Sequence, residues 1–150
     1  MIYISHRGNL AGPKSSKENH PDYITEAWHQ GFDVEIDVWY INGEFVLGHD
    51  QPEYEVDWKF LTNGSFWCHA KNIEALDAML NCGAHCFWHE NDYATLTSRG
   101  FIWTYPGNDL TRMSVCVMPE APGHEYFVKQ PWVGSYGVCS DFVKEIRDGK

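Results

Sequence analysis

The feature that most constrains this chain is a set of three carboxylates inside an otherwise apolar strand. Residues 32–39 alternate Val34, Ile36 and Val38 against Asp33, Glu35 and Asp37, the period-two pattern of a β-strand. Side chains two apart share a face, so Glu35 and Asp37 project together. Charge within a strand is costly unless it is paired or bound to a metal. If helices cover the other face, as in a parallel sheet, the two carboxylates point inward and call for a cation. The alternative is a solvated polar face on an amphipathic strand.

The rest of the chain supplies an α/β pattern. Strands are expected at residues 2–5, 44–47, 66–70, 85–88, 101–104, 114–118 and 136–140, with a weaker one at 95–98. Asn42-Gly43 is a hairpin signal. A first helix is expected with Asn19 or His20 as cap, Pro21 in the first turn, Gly31 past the end, and Ile24, Ala27 and Trp28 buried. A Ser15-x-x-Glu18 capping box would start it earlier but would put Pro21 inside. A second helix runs from an Asn72 cap through Cys82, with Ile73, Leu76, Met79 and Leu80 inward and Gly83 closing it. The tail from Phe142 is a short polar helix or a frayed end.

Length limits the architecture. The chain has 150 residues, which fits one domain. A standard (β/α)8 barrel takes about 250 residues and rarely fewer than about 200. Eight strands of about five residues leave chain for two or three helices, not eight. The expectation is a single α/β domain over residues 1–150, a minimal TIM-type (β/α)8-like barrel with several outer helices missing. Uncovered strand faces would be apolar, and a homodimer or higher form is expected to cover them.

Charge narrows the partners. Lys and Arg total 11 against 21 Asp and Glu, a formal charge of −10. That argues against a nucleic-acid partner, which requires a basic face, and against anionic membrane surfaces. No apolar run reaches the length of a membrane span. The first residues, Met-Ile-Tyr-Ile-Ser, lack a basic stretch ahead of an apolar one, so no secretory leader is expected. Cys68, Cys82, Cys86, Cys116 and Cys139 are odd in number and form no Cys-x-x-Cys pair. They are expected to be reduced, largely buried thiols of a cytoplasmic protein.

Polar groups recur at the ends of the expected strands. His6 and Arg7 follow the first, His69 and Lys71 share a face on the third, His89 and Glu90 follow the fourth, and Glu120 and Asp141 follow the last two. In an α/β barrel these ends meet at one mouth, where active sites form. Cys82, His85, Cys86 and His89 match no standard zinc-finger spacing. The run Trp103-Thr104-Tyr105-Pro106-Gly107 is read as core and turn, with a substrate wall as the alternative.

In order, the motifs are His6-Arg7-Gly8-Asn9, Glu18-Asn19, Asp33-Val34-Glu35-Ile36-Asp37-Val38, Gly48-His49-Asp50 and Gly137-Val138-Cys139-Ser140-Asp141. With these gaps the string resembles the glycerophosphodiester phosphodiesterase family, within the wider group of phosphatidylinositol-phospholipase-C-like phosphodiesterases. The close likeness runs from His6 to Asp50; beyond that it rests on the Lys71 strand and the closing Ser140-Asp141. The resemblance implies a (β/α)8 barrel that uses a divalent cation to hydrolyse glycerophosphodiesters to glycerol phosphate and an alcohol. It implies His6 and His49 as general acid and base, and Arg7 and Lys71 on the phosphate. Glu35 and Asp37 would ligate the metal, and Glu18 and Asn19 would sit beside the substrate. The chemistry agrees: a phosphodiester needs its charge neutralised, and two histidines suit the two proton transfers. Water or a hydroxyl of the substrate's own glycerol is the nucleophile.

The chain departs from the family pattern on the third strand. The family has Glu-x-Lys there, the Glu a metal ligand, where this chain has His69-Ala70-Lys71. His69 is then the candidate third ligand, with Glu90 or Glu120 as alternative carboxylates. Mg2+ or Ca2+ is expected, and the softer nitrogen favours Mn2+ or Zn2+. The segment after Asp50 is also short, which opens the cleft. Two alternatives to hydrolysis follow: a phosphate-ligand binding protein without turnover, and a phospholipase-like lyase acting on a larger head group.

Overall fold

In the computed structural model, which describes residues 1–121 and 130–149, the strands join in one curled, mixed sheet. The first half of the chain forms β1 (Ile2–His6), α1 (Pro21–His29), β2 (Asp33–Ile41), β3 (Glu44–Leu47), β4 (Tyr54–Val56), α2 (Trp58–Leu61) and β5 (Phe66–Ala70). The second half forms α3 (Ile73–Cys82), β6 (Cys86–Phe87), β7 (Ala94–Leu96), β8 (Ile102–Thr104), β9 (Ser114–Val117), β10 (Gly137–Ser140) and α4 (Val143–Asp148). Parallel pairing runs β6-β5-β2-β1-β10-β9-β8. β7 turns back antiparallel on β8, and the β3–β4 hairpin extends the far half of β2.

This is not the minimal (β/α)8 barrel expected from the sequence. The sheet curls into a half-barrel, with four short helices among the described residues. β6 and β7, at the two ends of the curl, share no strand ladder. Ser98 bridges them instead, its N–H donating to Cys86 O at 2.8 Å. The cause lies in the second half of the chain. β6 has two residues, and β7 and β8 three each, too few for long ladders. The link between β8 and β9, residues 105–113, is too short for a helical crossover, which takes about a dozen residues or more.

β2 is the spine. Its residues pair with β1 at Asp33–Glu35, with β5 at Val34–Val38 and with β3 at Val38–Ile41. Val34, Ile36 and Val38 bury outward against Ile24 and Ala27 of α1 and Ala75 and Met79 of α3. Covered on that face, the strand turns Glu35 and Asp37 inward, where both are buried. The interior is filled by Ile4, Trp67, Phe87, Trp103 and Val115. Each helix buries a narrow stripe, because only the sheet lies beneath it. Trp28, Ile73 and Leu80, expected to face inward, are therefore exposed at 39%, 61% and 54%. Among the described residues no helix is long and apolar enough to cross a membrane.

Local signals act as their chemistry dictates. Asn42 and Gly43 both take positive φ, 53° and 88°, the twist a two-residue hairpin needs. His20 caps α1, its Nδ1 accepting from Asp22 N at 3.2 Å. This leaves Asn19 free to serve elsewhere. Asn72 caps α3 and also bonds both backbone groups of Tyr40, at 3.1 and 2.9 Å, tying that helix to β2.

Gly48 holds the turn that carries His49. Its φ is +150°, its N–H donates to Asp37 O at 3.1 Å, and its carbonyl accepts from Trp39 Nε1 at 2.7 Å. A Cβ there would collide with the Gln51 carbonyl. Gly48→Ala is expected to lower the unfolding free energy by about 2 kcal/mol, read by urea denaturation.

Candidate functional site

The C-terminal ends of β1, β2, β5 and β10 converge on a cavity of about 670 Å³. His6, Arg7, Glu18, Glu35, His49, His69, Lys71 and Asp141 all contribute to its lining. A larger groove of about 920 Å³ lies between α3 and the β2–β3 hairpin, and its lining includes none of them.

Asp37 sits behind the cavity wall with no exposed surface. Its Oδ2 accepts from Asn19 Nδ2 at 2.9 Å, and its backbone N–H donates to Asn19 Oδ1 at 2.9 Å. Arg7 Nε lies 2.9 Å from Oδ2, Lys71 Nζ 3.6 Å from Oδ1 and His69 Nδ1 3.1 Å from Oδ1. The Arg7 N–H is not aimed at its partner, so that contact is an ion pair without a formed hydrogen bond. Burial opposes ionisation of Asp37, but the His69 bond and the Arg7 and Lys71 charges hold its carboxyl far below the usual carboxylate range.

Glu35, two residues away on the same face, is pushed the other way. Burial raises its pKa, and the Asp37 charge adds to this. Its Oε2 is buried and has no hydrogen-bond partner. His69 Nδ1 lies 3.9 Å from Glu35 Oε1. Candidate ligand atoms of Glu35, Asp37 and His69 all lie within 4.8 Å of one another.

The second nitrogen of His69 decides what this trio can hold. Nε2 lies 3.2 Å from the carbonyl of His89, an acceptor that favours the tautomer with its proton on Nε2. Nδ1 faces the Asp37 carboxylate at 3.1 Å. Two lone pairs at that distance repel, so a proton or a cation belongs between them. Histidine metal ligands commonly donate their other N–H to a carbonyl in this way. The orphaned Glu35 oxygen and the oriented His69 nitrogen thus fit a divalent cation.

His6 and His49 each have a carboxylate of their own. His6 Nδ1 lies 2.8 Å from Asp141 Oδ1, and its Nε2 lies 3.9 Å from Glu35 Oε2. Burial works against its charge, but the Asp141 bond and the Glu35 charge outweigh it, and its pKa rises above 6.5. His49 Nδ1 lies 2.7 Å from Asp50 Oδ1. Burial and the nearby Arg7 and Lys71 charges bring its pKa below 6.5.

A polar network fixes the β1 exit. Arg7, in the left-handed region at φ 54°, donates from Nη1 to Glu18 Oε2 at 3.2 Å. Asn9 Nδ2 donates to Glu18 Oε1 at 2.9 Å and to Asp141 Oδ1 at 2.8 Å. Asn19, at φ 61°, turns its amide onto Asp37 and does not line the cavity. Of the residues singled out in the sequence, His6, Arg7, Glu18, Glu35, His49, His69 and Lys71 line one cavity, and Asp37 and Asn19 lie directly behind it. Glu90 lies on the rim; Glu120 accepts from Ser140 Oγ and Asp141 N at 2.9 and 2.7 Å. The pairing of Asp141 with His6 and the bracing by Asn9 were not assigned from the sequence. Both residues stood in the motif string, but only tertiary structure joins positions 135 apart.

Removing the carboxylate that Arg7, Lys71, His69 and Asn19 share leaves buried positive charge unpaired. Asp37→Ala is expected to cost about 3 kcal/mol or more of stability, read by chemical denaturation. Compared with known proteins, the chain matches no family model, no curated protein and no solved structure.

Proposed function

We propose that this protein is a divalent-cation-dependent phosphodiesterase that hydrolyses a glycerophosphodiester-like substrate to glycerol phosphate and an alcohol. One observation carries the proposal: two histidines, each paired with its own carboxylate, share a cavity with Arg7, Lys71 and a buried carboxylate oxygen that lacks a partner. The resemblance of the motif string to the glycerophosphodiester phosphodiesterase family supports the same reading.

Glu35, Asp37 and His69 would hold the cation, with Mg2+, Ca2+ or Mn2+ as candidates. When bound, it neutralises charge on the phosphodiester. Arg7 and Lys71 bind the non-bridging oxygens and orient the phosphorus. The opposite shifts of the two histidines support one division of the proton transfers. His49, neutral and with Nδ1 turned to Asp50, takes a proton from water as its oxygen bonds to phosphorus. His6, protonated and held by Asp141, gives a proton to the alcohol oxygen as the P–O bond breaks. Water thus supplies the hydroxyl of the glycerol phosphate, and the alcohol leaves neutral. The protein would act in the cytoplasm without a nucleic-acid partner, and its exposed Trp28, Trp58, Ile73 and Leu80 would favour self-association.

Hydrolysis of glycerophosphocholine with each metal or with chelator tests this reading. Turnover is expected to need metal and to be lost in His6→Ala and Glu35→Ala. Binding of glycerol phosphate with no turnover by folded, metal-loaded protein would favour the binding-protein alternative. The kcat/KM profile is expected to be bell-shaped, falling below the His49 pKa on the acid side and above the His6 pKa on the alkaline side. Asp141→Asn removes the bond that raises the His6 pKa, so the alkaline limb should move to lower pH. Light scattering at micromolar concentration tests self-association: a monomer would refute it.

A further inference from the structure

We infer that the cavity selects a phosphodiester whose alcohol is apolar and uncharged; this rests on the phosphodiesterase reading and names its substrate class. The cavity has two unlike sides. The residues from β1, β2 and β5 are charged. The side built at the ends of β8 and β9 presents Trp103, Tyr105, Pro106, Val117, Met118 and Ala121, alongside His89 and Glu90. An alcohol bound through its phosphate at Arg7 and Lys71 would extend along this wall.

The wall is built in advance. Trp103 is 2% exposed and packs on Phe87 and Trp67, with ring centroids 4.6 and 5.8 Å apart. Tyr105 donates its hydroxyl to the carbonyl of Glu90 at 2.9 Å, and its ring meets His89 edge-on at 4.9 Å. Rigid apolar surface of this kind binds without the cost of ordering it.

Met118 supplies an independent sign. Its φ is +47°, a conformation that costs a non-glycine residue energy and clusters at functional sites. The backbone is held there by its own N–H, which donates to Cys139 O at 2.8 Å. Glycine or asparagine would suit that backbone better, yet the position carries a thioether, the side chain that adapts most readily to apolar shapes.

A quaternary ammonium is the rival occupant. It would need open aromatic faces or a buried counter-charge. The Trp103 ring is already engaged by Phe87 and Trp67. The carboxylate on this side, Glu90, is exposed, where water screens it. A polyol would lose hydration against Pro106, Val117, Met118 and Ala121, whose side chains offer it no hydrogen bond.

The test compares glycerophosphocholine with its neutral isostere, in which a tert-butyl group replaces the trimethylammonium. Choline is the better leaving group, so intrinsic reactivity runs against the expectation. The isostere should show kcat/KM higher by roughly tenfold. Met118→Asn, which suits the left-handed backbone, should keep the thermal midpoint and bring that ratio towards one. Equilibrium binding of the two matching non-hydrolysable phosphonates is measured in parallel. Tighter binding of the neutral phosphonate with no cleavage of either ester would sink hydrolysis and leave this inference standing. Cleavage of both esters with equal or better use of choline would do the reverse. Equal or undetectable binding of the two phosphonates, or an unchanged ratio in Met118→Asn, would overturn the inference.

Discussion

The carboxylate of Asp37 is the point on which the site is assembled. It lies in the middle of the longest strand, without access to solvent, and an isolated charge there would be prohibitive. Its neighbours resolve the problem by converging from three directions: Arg7 from the end of β1, His69 and Lys71 from β5, and Asn19 from the loop before α1. Each of these groups is thereby fixed in place. Arg7 and Lys71 are positioned by a buried charge.

That arrangement separates two carboxylates of the same strand. Asp37 stays ionised beside Arg7, Lys71 and the Asn19 amide. Glu35 shares its face but has only distant positive partners, and one of its oxygens is left bare. The histidines are split by the same means. Burial disfavours charge on both, but Asp141 and Glu35 outweigh it at His6, whereas Arg7 and Lys71 add to it at His49. Like groups in one small cavity are thus shifted in opposite directions.

The half-barrel supplies this geometry with little chain. Parallel strands bring their C-terminal ends together whether or not the sheet closes. What closure and outer helices would add is cover, and its absence leaves apolar side chains of α1, α2 and α3 in solvent. β8, one of the strands too short to complete the ladder, and its neighbour β9 end in the apolar wall of the cavity. Economy of chain is therefore concentrated away from the charged half, where register has to be exact to within one residue.

Much of the local structure was legible in the sequence because its causes are local. The alternation around Ile36 fixed β2 and the shared face of Glu35 and Asp37; Asn42-Gly43 fixed the hairpin; Asn72 and Gly83 fixed the ends of α3. The histidines, the basic pair and the acidic pair were identifiable as chemistry because charge inside a strand needs a reason. The barrel expected from the sequence does not form, because closure depends on ladder lengths at β6, β7 and β8 that residue pattern does not set. The inward placement of Ile73 and Leu80 failed for a related reason: helical periodicity gives a stripe, while its buried width depends on what lies beneath. The sequence by itself determined which residues carry charge and which strand faces they share. Only the tertiary structure decided that Asp141 meets His6, that Asn19 locks Asp37, and that His69 turns one nitrogen to a carbonyl and the other to a carboxylate, because those contacts join segments far apart in the chain.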